Sequence, residues 1–159
     1  MLLPLASFVA AAVISSPATI ETQALELAGA PAATPITCTV DVPQGENGWA
    51  QWSPSTWIEL QPAVCDGLAW LGGDRGRLER AQPFTFWNGQ AGVSALVLLH
   101  ESTHISGDHD ETDTECRALA LLPGFLSRWL QGDELAAALR VARSYDSQLP
   151  ALYHERGCA

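Results

Sequence analysis

The sequence predicts an α+β fold, mostly α, in which two antiparallel helices joined by a very short turn pack on a short β-sheet. Three observations predict it. Helix-like stretches at about 90–106 and 108–122 flank Gly107, which falls where a helix-terminating glycine belongs. Two runs, 36–42 and 57–60, carry the β-branched and aromatic residues of strands. Four cysteines, Cys38, Cys65, Cys116 and Cys158, are scattered with no close pair, which excludes a cysteine zinc ribbon and suits two disulfides. A chain of 159 residues is one domain at most, with one core.

From the N-terminus, residues 2–14 form an apolar run too short to cross a bilayer but suited to the h-region of a secretory signal, although no Lys or Arg precedes it. Ser16-Pro17-Ala18 and Ala28-Gly29-Ala30 both offer small residues at cleavage-compatible spacing. Residues 20–35 are rich in Ala, Pro and Thr without a sustained period, so little order is expected there. Residues 1–35 are accordingly assigned to a signal peptide and mobile leader, and residues 36–159 to the folded domain.

A strand over 36–42 is expected to end at Pro43, followed by a polar turn at 44–48. Trp49, Trp52 and Trp57 lead into a strand at 57–60, and this stretch reads either as aromatic core packing or as an edge that aligns an extended peptide. Pro62 opens a short helix over 63–71 that Gly72-Gly73 ends, and 74–80 reads as a solvated loop. A brief extended segment at 83–87 then leads to Asn88 as N-cap of the helix from about 90 to 106. Asp108 with Glu111 resembles an N-cap and its partner for the next helix, and so tight a turn forces the two helices antiparallel. After Pro123-Gly124, an apolar piece at 125–130 precedes a last helix over 134–145, with Leu135, Leu139 and Ala142 on one face. Of three possible disulfide pairings, Cys65 with Cys116 and Cys38 with Cys158 is favoured, because the first bridge would fix the helix after the tight turn.

The chemistry lies in His100-Glu101-Ser102-Thr103-His104. Histidines four apart on a helix point from one face about one turn apart, so both imidazoles reach one ion. Glu101 sits beside them, where its carboxylate can hold and deprotonate a metal-bound water. Val93, Leu96 and Val97 continue the stripe that carries the histidines, placing them on a core-facing side where an unpaired imidazole is awkward.

Catalytic zinc takes three protein ligands and keeps one open position. With the turn centred near Gly107 and Asp108, Glu111 falls level with His104 and Glu115 level with His100. Both share a face with Leu119 and Leu122, where isolated carboxylates would cost several kcal/mol each. Glu111 is therefore assigned to Zn2+ and Glu115 to accepting a ring N–H from His100. The reverse assignment stays open, as does the reading of both as surface carboxylates opposite Arg117.

His100-Glu101-x-x-His104 followed by Glu111-Thr112-Asp113-Thr114-Glu115 resembles the gluzincin arrangement of thermolysin-like zinc peptidases. That resemblance covers about 97–122, with a shorter interval from His104 to Glu111 than thermolysin has. It implies a zincin-like fold, a Glu from the following helix on the metal and an acidic residue four later supporting a histidine. It also implies a Tyr or His that stabilises an oxyanion, for which Tyr153 and His154 are available. The chain as a whole resembles a group of small exported bacterial proteins of unknown substrate. His100 to Gly107-x-x-Asp110 fits the metzincin formula in its aspartate form as well, but that family needs a methionine beneath the zinc and the only methionine is Met1. Asp110 is therefore the alternative metal ligand. His109 adjoins the motif and reads as a solvent-facing residue of the turn.

These readings combine into a secreted or cell-surface zinc metallopeptidase with Glu101 as general base, acting on a protein or peptide substrate, with no transmembrane span once the leader is removed. The rivals are a non-catalytic zinc-stabilised binding module and a disulfide-stapled interaction domain. Acidic residues outnumber basic ones 18 to 8, which argues against nucleic acid and anionic membrane as partners. No serine nucleophile elbow, phosphate loop or Cys-His arrangement is readable, and the sequence carries no signal for an oligomeric state.

Overall fold

A computed structural model describes residues 19–43, 45–154 and 157–158. Its centre is the helix α4 (Phe84–Ile105), whose face shows almost no polar side: seventeen of its residues are buried, from Trp87 to Ile105. A helix that is apolar or neutral all round needs neighbours on every side. Here they are α1 (Ile20–Ala28), α2 (Pro62–Leu71), α5 (Glu111–Leu126) and α6 (Gly132–Asp146), together with the strands β2 (Gly48–Gln51) and β3 (Trp57–Leu60). A short helix, α3 (Arg75–Leu78), and a 3-10 turn at Ala151–Tyr153 complete the described elements. The fold is thus mostly helical with one small sheet, as expected.

The sheet has the order β1-β3-β2, with β1 at Ile36–Cys38. β1 runs parallel to β3, pairing Cys38 with Leu60, and β2 runs antiparallel to it, pairing Gly48 with Leu60. β1 is shorter than the expected 36–42 because its partner turns into α2 one residue after Leu60, leaving Val40 81 % exposed. β2 replaces part of what was read as turn and tryptophan-rich packing, and it forms an edge of the sheet.

The expectation of little order at 20–35 is corrected. Ile20, Ala24, Leu25 and Ala28 form a helical stripe that is buried in the core. Thr19 caps α1 by accepting from the Thr22 N–H, and Gly29 ends it at φ 80. Arg117 donates to the free Ala28 carbonyl at 2.7 Å. The Pro-rich composition that suggested a leader belongs to the connection after α1, around Pro31 and Pro35. The apolar run at 2–14 lies outside the described residues, and no described helix is long and apolar enough to cross a membrane.

Three helix boundaries also move. α4 begins at Phe84 after Pro83, and the supposed cap Asn88 is buried inside it, donating to the Glu134 carbonyl at 3.0 Å. Packing overrides the extended preference of the aromatic run: Trp87 donates to the Leu78 carbonyl, and Phe84 meets Trp70 edge-on. Asp110, rather than Asp108, caps α5 by accepting from the Asp113 N–H at 3.0 Å. α5 then continues through Pro123 to Leu126, because Phe125 and Leu126 are fully buried.

The disulfides are Cys38 with Cys65 and Cys116 with Cys158, not the pairing favoured from the sequence. Parallel pairing of β1 with β3 sets Cys38 beside Leu60, five residues before Cys65 in the first half of α2. Cys116 is then left to hold the C-terminal tail against α5.

α4 and α6 approach closely at Gly92, where a Cβ would overlap the backbone carbonyl of Ala138. Gly92→Ala is expected to destabilise the protein by about 1–3 kcal/mol in urea unfolding. Gly76→Ala in α3, where a Cβ meets open space, should shift stability by no more than about 1 kcal/mol.

Candidate metal centre

The centre forms where α4 ends and α5 begins. Gly107 closes α4 with φ 108, and three residues later the chain enters α5, so the last turns of one helix face the first turns of the next. His100, His104 and Glu111 are thereby brought together. His100 Nε2 lies 3.0 Å from His104 Nε2, and Glu111 Oε2 lies 3.1 Å from the first and 3.4 Å from the second. Tetrahedral bonds to zinc of about 2.0–2.1 Å span ligand pairs about 3.3 Å apart, so the triangle fits one ion. His100, His104 and Glu111 could hold a metal ion as they stand.

Each imidazole is oriented from behind. His100 Nδ1 donates to Glu115 Oε2 at 2.7 Å, and Glu115 is 2 % exposed. His104 Nδ1 donates to the Asp108 carbonyl at 2.8 Å, which also accepts from the Thr114 hydroxyl at 3.3 Å. With both Nδ1 atoms protonated and tied, both Nε2 atoms face the centre, the arrangement that outer-shell partners enforce in metal sites. Ser102 and Thr103, fully buried between the histidines, donate to the Leu98 and Leu99 carbonyls and leave no loose hydroxyl.

Glu101 is 7 % exposed and lines the cleft with His100, His104, Glu111 and the strand β2. Gly48 permits this closeness: a Cβ there would stand 2.8 Å from Glu101 Oε1 and 2.9 Å from Val97 Cγ1. Burial pushes the Glu101 carboxyl up to about 7, against the pull of His100 and His104. Burial disfavours the His100 imidazolium, but hydrogen bonds to Glu111 and Glu115 outweigh it and lift its pKa to about 10. The same bonds from His100 and His104 lower Glu111 to about 2.

The remaining sequence candidates are placed as follows. Asp110 serves as the α5 cap and is not among the three metal-capable side chains. Arg117 turns away to Ala28 and Ser106. His109 is exposed, with its ring stacked on Trp52 at 4.4 Å. Tyr153 lines the cleft, its ring 5.5 Å from that of His100 and its hydroxyl donating to Glu46 at 3.4 Å. His154 binds the Asp146 carbonyl instead. Trp52, from the tryptophan-rich stretch one of whose two readings was a peptide-aligning edge, lines the cleft, whereas Gly48, Glu46 and Thr114 were not anticipated as parts of the site. Only the glycine preceding a tryptophan-rich strand hinted that a backbone comes close there.

A metal ion competes with the proton on His100. His100 is held protonated above neutrality by Glu111 and Glu115, so metal binding at pH 8.5 should release at least one proton, and affinity should rise with pH up to about 10. Titration calorimetry in buffers of different ionisation enthalpy measures this. Glu115→Gln should weaken metal binding about 10–100-fold. No family model, curated protein or solved structure matches the chain, so the character of the centre is read from its own geometry.

Proposed function

We propose that the protein is a zinc-dependent peptidase, with His100, His104 and Glu111 holding the ion and Glu101 as general base. The observation that carries this reading is the convergence of three ligand atoms from two helices, with both imidazoles braced from behind. Among the described residues the group has three members, which suits a catalytic site with an open position better than a closed structural one with four. Zinc there supplies a Lewis acid that acidifies water and polarises a carbonyl.

The chain's own groups supply the rest. Glu101, buried and titrating near neutrality, takes a proton from the attacking water and returns it to the leaving amine. Tyr153, whose hydroxyl burial keeps protonated, is placed at the cleft to donate to a developing oxyanion. β2 has one unpaired edge, and Gly48, Trp49 and Ala50 line the cleft, so an extended peptide can be aligned along it by backbone pairing. The two disulfides accord with an oxidising compartment and hence with export.

Glu101→Gln should retain stoichiometric zinc by metal analysis and lose peptide hydrolysis by about 10²–10⁴-fold. Equal cleavage by the variant and the parent would remove Glu101 from the mechanism. A parent protein that purifies without zinc and takes none up would remove the centre itself.

A further inference from the structure

Glu115 braces His100 with one oxygen only. Its Oε2 accepts from His100 Nδ1 at 2.7 Å, while Oε1 is buried and meets no N–H or hydroxyl donor among the described residues. Three buried side-chain polar atoms are in that condition among the described residues, and a second of the three is Asp146 Oδ1. The two carboxyl groups lie within hydrogen-bond reach of each other, Glu115 on α5 and Asp146 as the last residue of α6. Buried carboxylates in contact repel, and one carboxyl oxygen can satisfy another only through a proton between them.

The surroundings decide which residue carries that proton. Glu115 already accepts from His100, so negative charge is better kept on Glu115. Asp146 ends α6, where the carbonyl end of the helix disfavours an anion. The titratable groups that face Asp146 among the described residues are Glu115 of α5, with His100 of α4 behind it, and His154 of the tail. His154 Nε2 stands 3.8 Å from Asp146 Oδ1 and donates to the Asp146 main-chain carbonyl at 2.9 Å. Burial first, and then the Glu115 charge, push the Asp146 carboxyl up to about 6 against the pull of His154.

We propose that Asp146 is a positioning residue for the metal centre: as a neutral acid it donates to Glu115 Oε1, so that Glu115 is held between donors from α4 and α6 and keeps the His100 ring turned to the ion site. A carboxylate anchored by one oxygen can swing about its last bonds, whereas one anchored by both oxygens to different helices must break a hydrogen bond to do so. The hydrogen bonds from Asp146 through Glu115 to His100 tie the centre to α6, which supplies none of the three metal-capable side chains. That this bracing serves a bound ion rests on the zinc-peptidase reading, whereas the shared proton is a property of the metal-free protein.

Both arms of the test use the full chain without metal or peptide, so their outcome is separable from that of the peptidase reading. In the first, carboxyl NMR of isotope-labelled aspartate follows each side chain with pH, and the Asp146 signal is assigned by its loss in Asp146→Asn. Its midpoint should fall near 6 rather than at the ordinary 3.8, and should drop by about one unit or more in Glu115→Gln. An ordinary midpoint in the parent, or a raised one that Glu115→Gln leaves in place, overturns the shared proton. In the second, NMR of isotope-labelled histidine follows exchange of the His100 Nδ1 proton with water at about pH 5, where Asp146 holds its proton. Asp146→Leu, similar in shape but without a donor, should speed that exchange about tenfold relative to buried main-chain N–H groups of α4, and Asp146→Asn, whose amide donates, should return it to within about threefold of the parent. A Leu variant that exchanges like the parent, or an Asn variant as fast as Leu, overturns the positioning role. If the Leu variant fails to fold, the first arm decides.

Discussion

Burial of α4 from Trp87 to its C-terminal end, on nearly every face, is the constraint on which the rest depends. A helix packed on every side can carry polar side chains only where each finds a fixed partner, since an unsatisfied group in the interior costs about 1–3 kcal/mol. Along the last two turns the partners are supplied in sequence. Ser102 and Thr103 turn back to their own helix, His104 is met by the carbonyl of Asp108, and His100 by the carboxylate of Glu115. The directions of the two imidazoles are therefore determined by the packing of α5 and the turn before it. Their Nε2 atoms, turned to the opposite side of each ring, converge on one another and on Glu111.

The two glutamates of α5 show how depth separates roles that residue type alone leaves equal. Glu115 lies one helical turn deeper, is almost fully buried and touches His100 at Nδ1, on the far side of the ring from the ion site. Glu111 is partly exposed and faces Nε2 of both histidines. Charge on Glu111 is tolerable because solvent reaches it, and charge on Glu115 is tolerable because His100 donates to it. One more residue inside α5 between Glu111 and Glu115 would rotate the second by about 100° relative to the first, and the two would no longer share the face that meets the histidines.

Much of this was legible in the chain. The i, i+4 histidines, Gly107 as a helix stop and the shared face of Glu111 and Glu115 are local patterns, and local patterns survive folding when they end at strong punctuation. What misled the reading was competition between local signals and distant packing. Asn88 has the chemistry of a cap, yet as helix Trp87 is buried with its ring N–H on the Leu78 carbonyl and Phe84 meets Trp70 edge-on. Ala-, Pro- and Thr-rich composition masked α1 because a buried helix beside α4 can be built from alanines with only a few larger residues. The disulfide pairing and the strand β2 follow from sheet register, which no single segment encodes.

The wall of the cleft opposite α4 comes from the last part of the chain, and its attachment explains why a small domain can enclose a polar centre. The 3-10 turn at Ala151–Tyr153 is held to α5 by the Thr112 hydroxyl, which donates to the Leu152 carbonyl at 2.8 Å. Cys158 then fastens the tail to Cys116, one residue after Glu115. Both attachments sit on the helix that carries Glu111 and Glu115, so the tail that supplies Tyr153, Leu149 and Pro150 is referenced to the same element as the carboxylates. The C-terminal bridge closes a loop of 42 residues, which restricts the unfolded chain by about 4 kcal/mol in the loop-entropy account. Without that bridge the tail would rest on a few contacts of partly exposed side chains, and Glu115 would stand closer to water. The dry surroundings that orient His100 are thus secured from the surface side by a covalent link, and from the core side by α4.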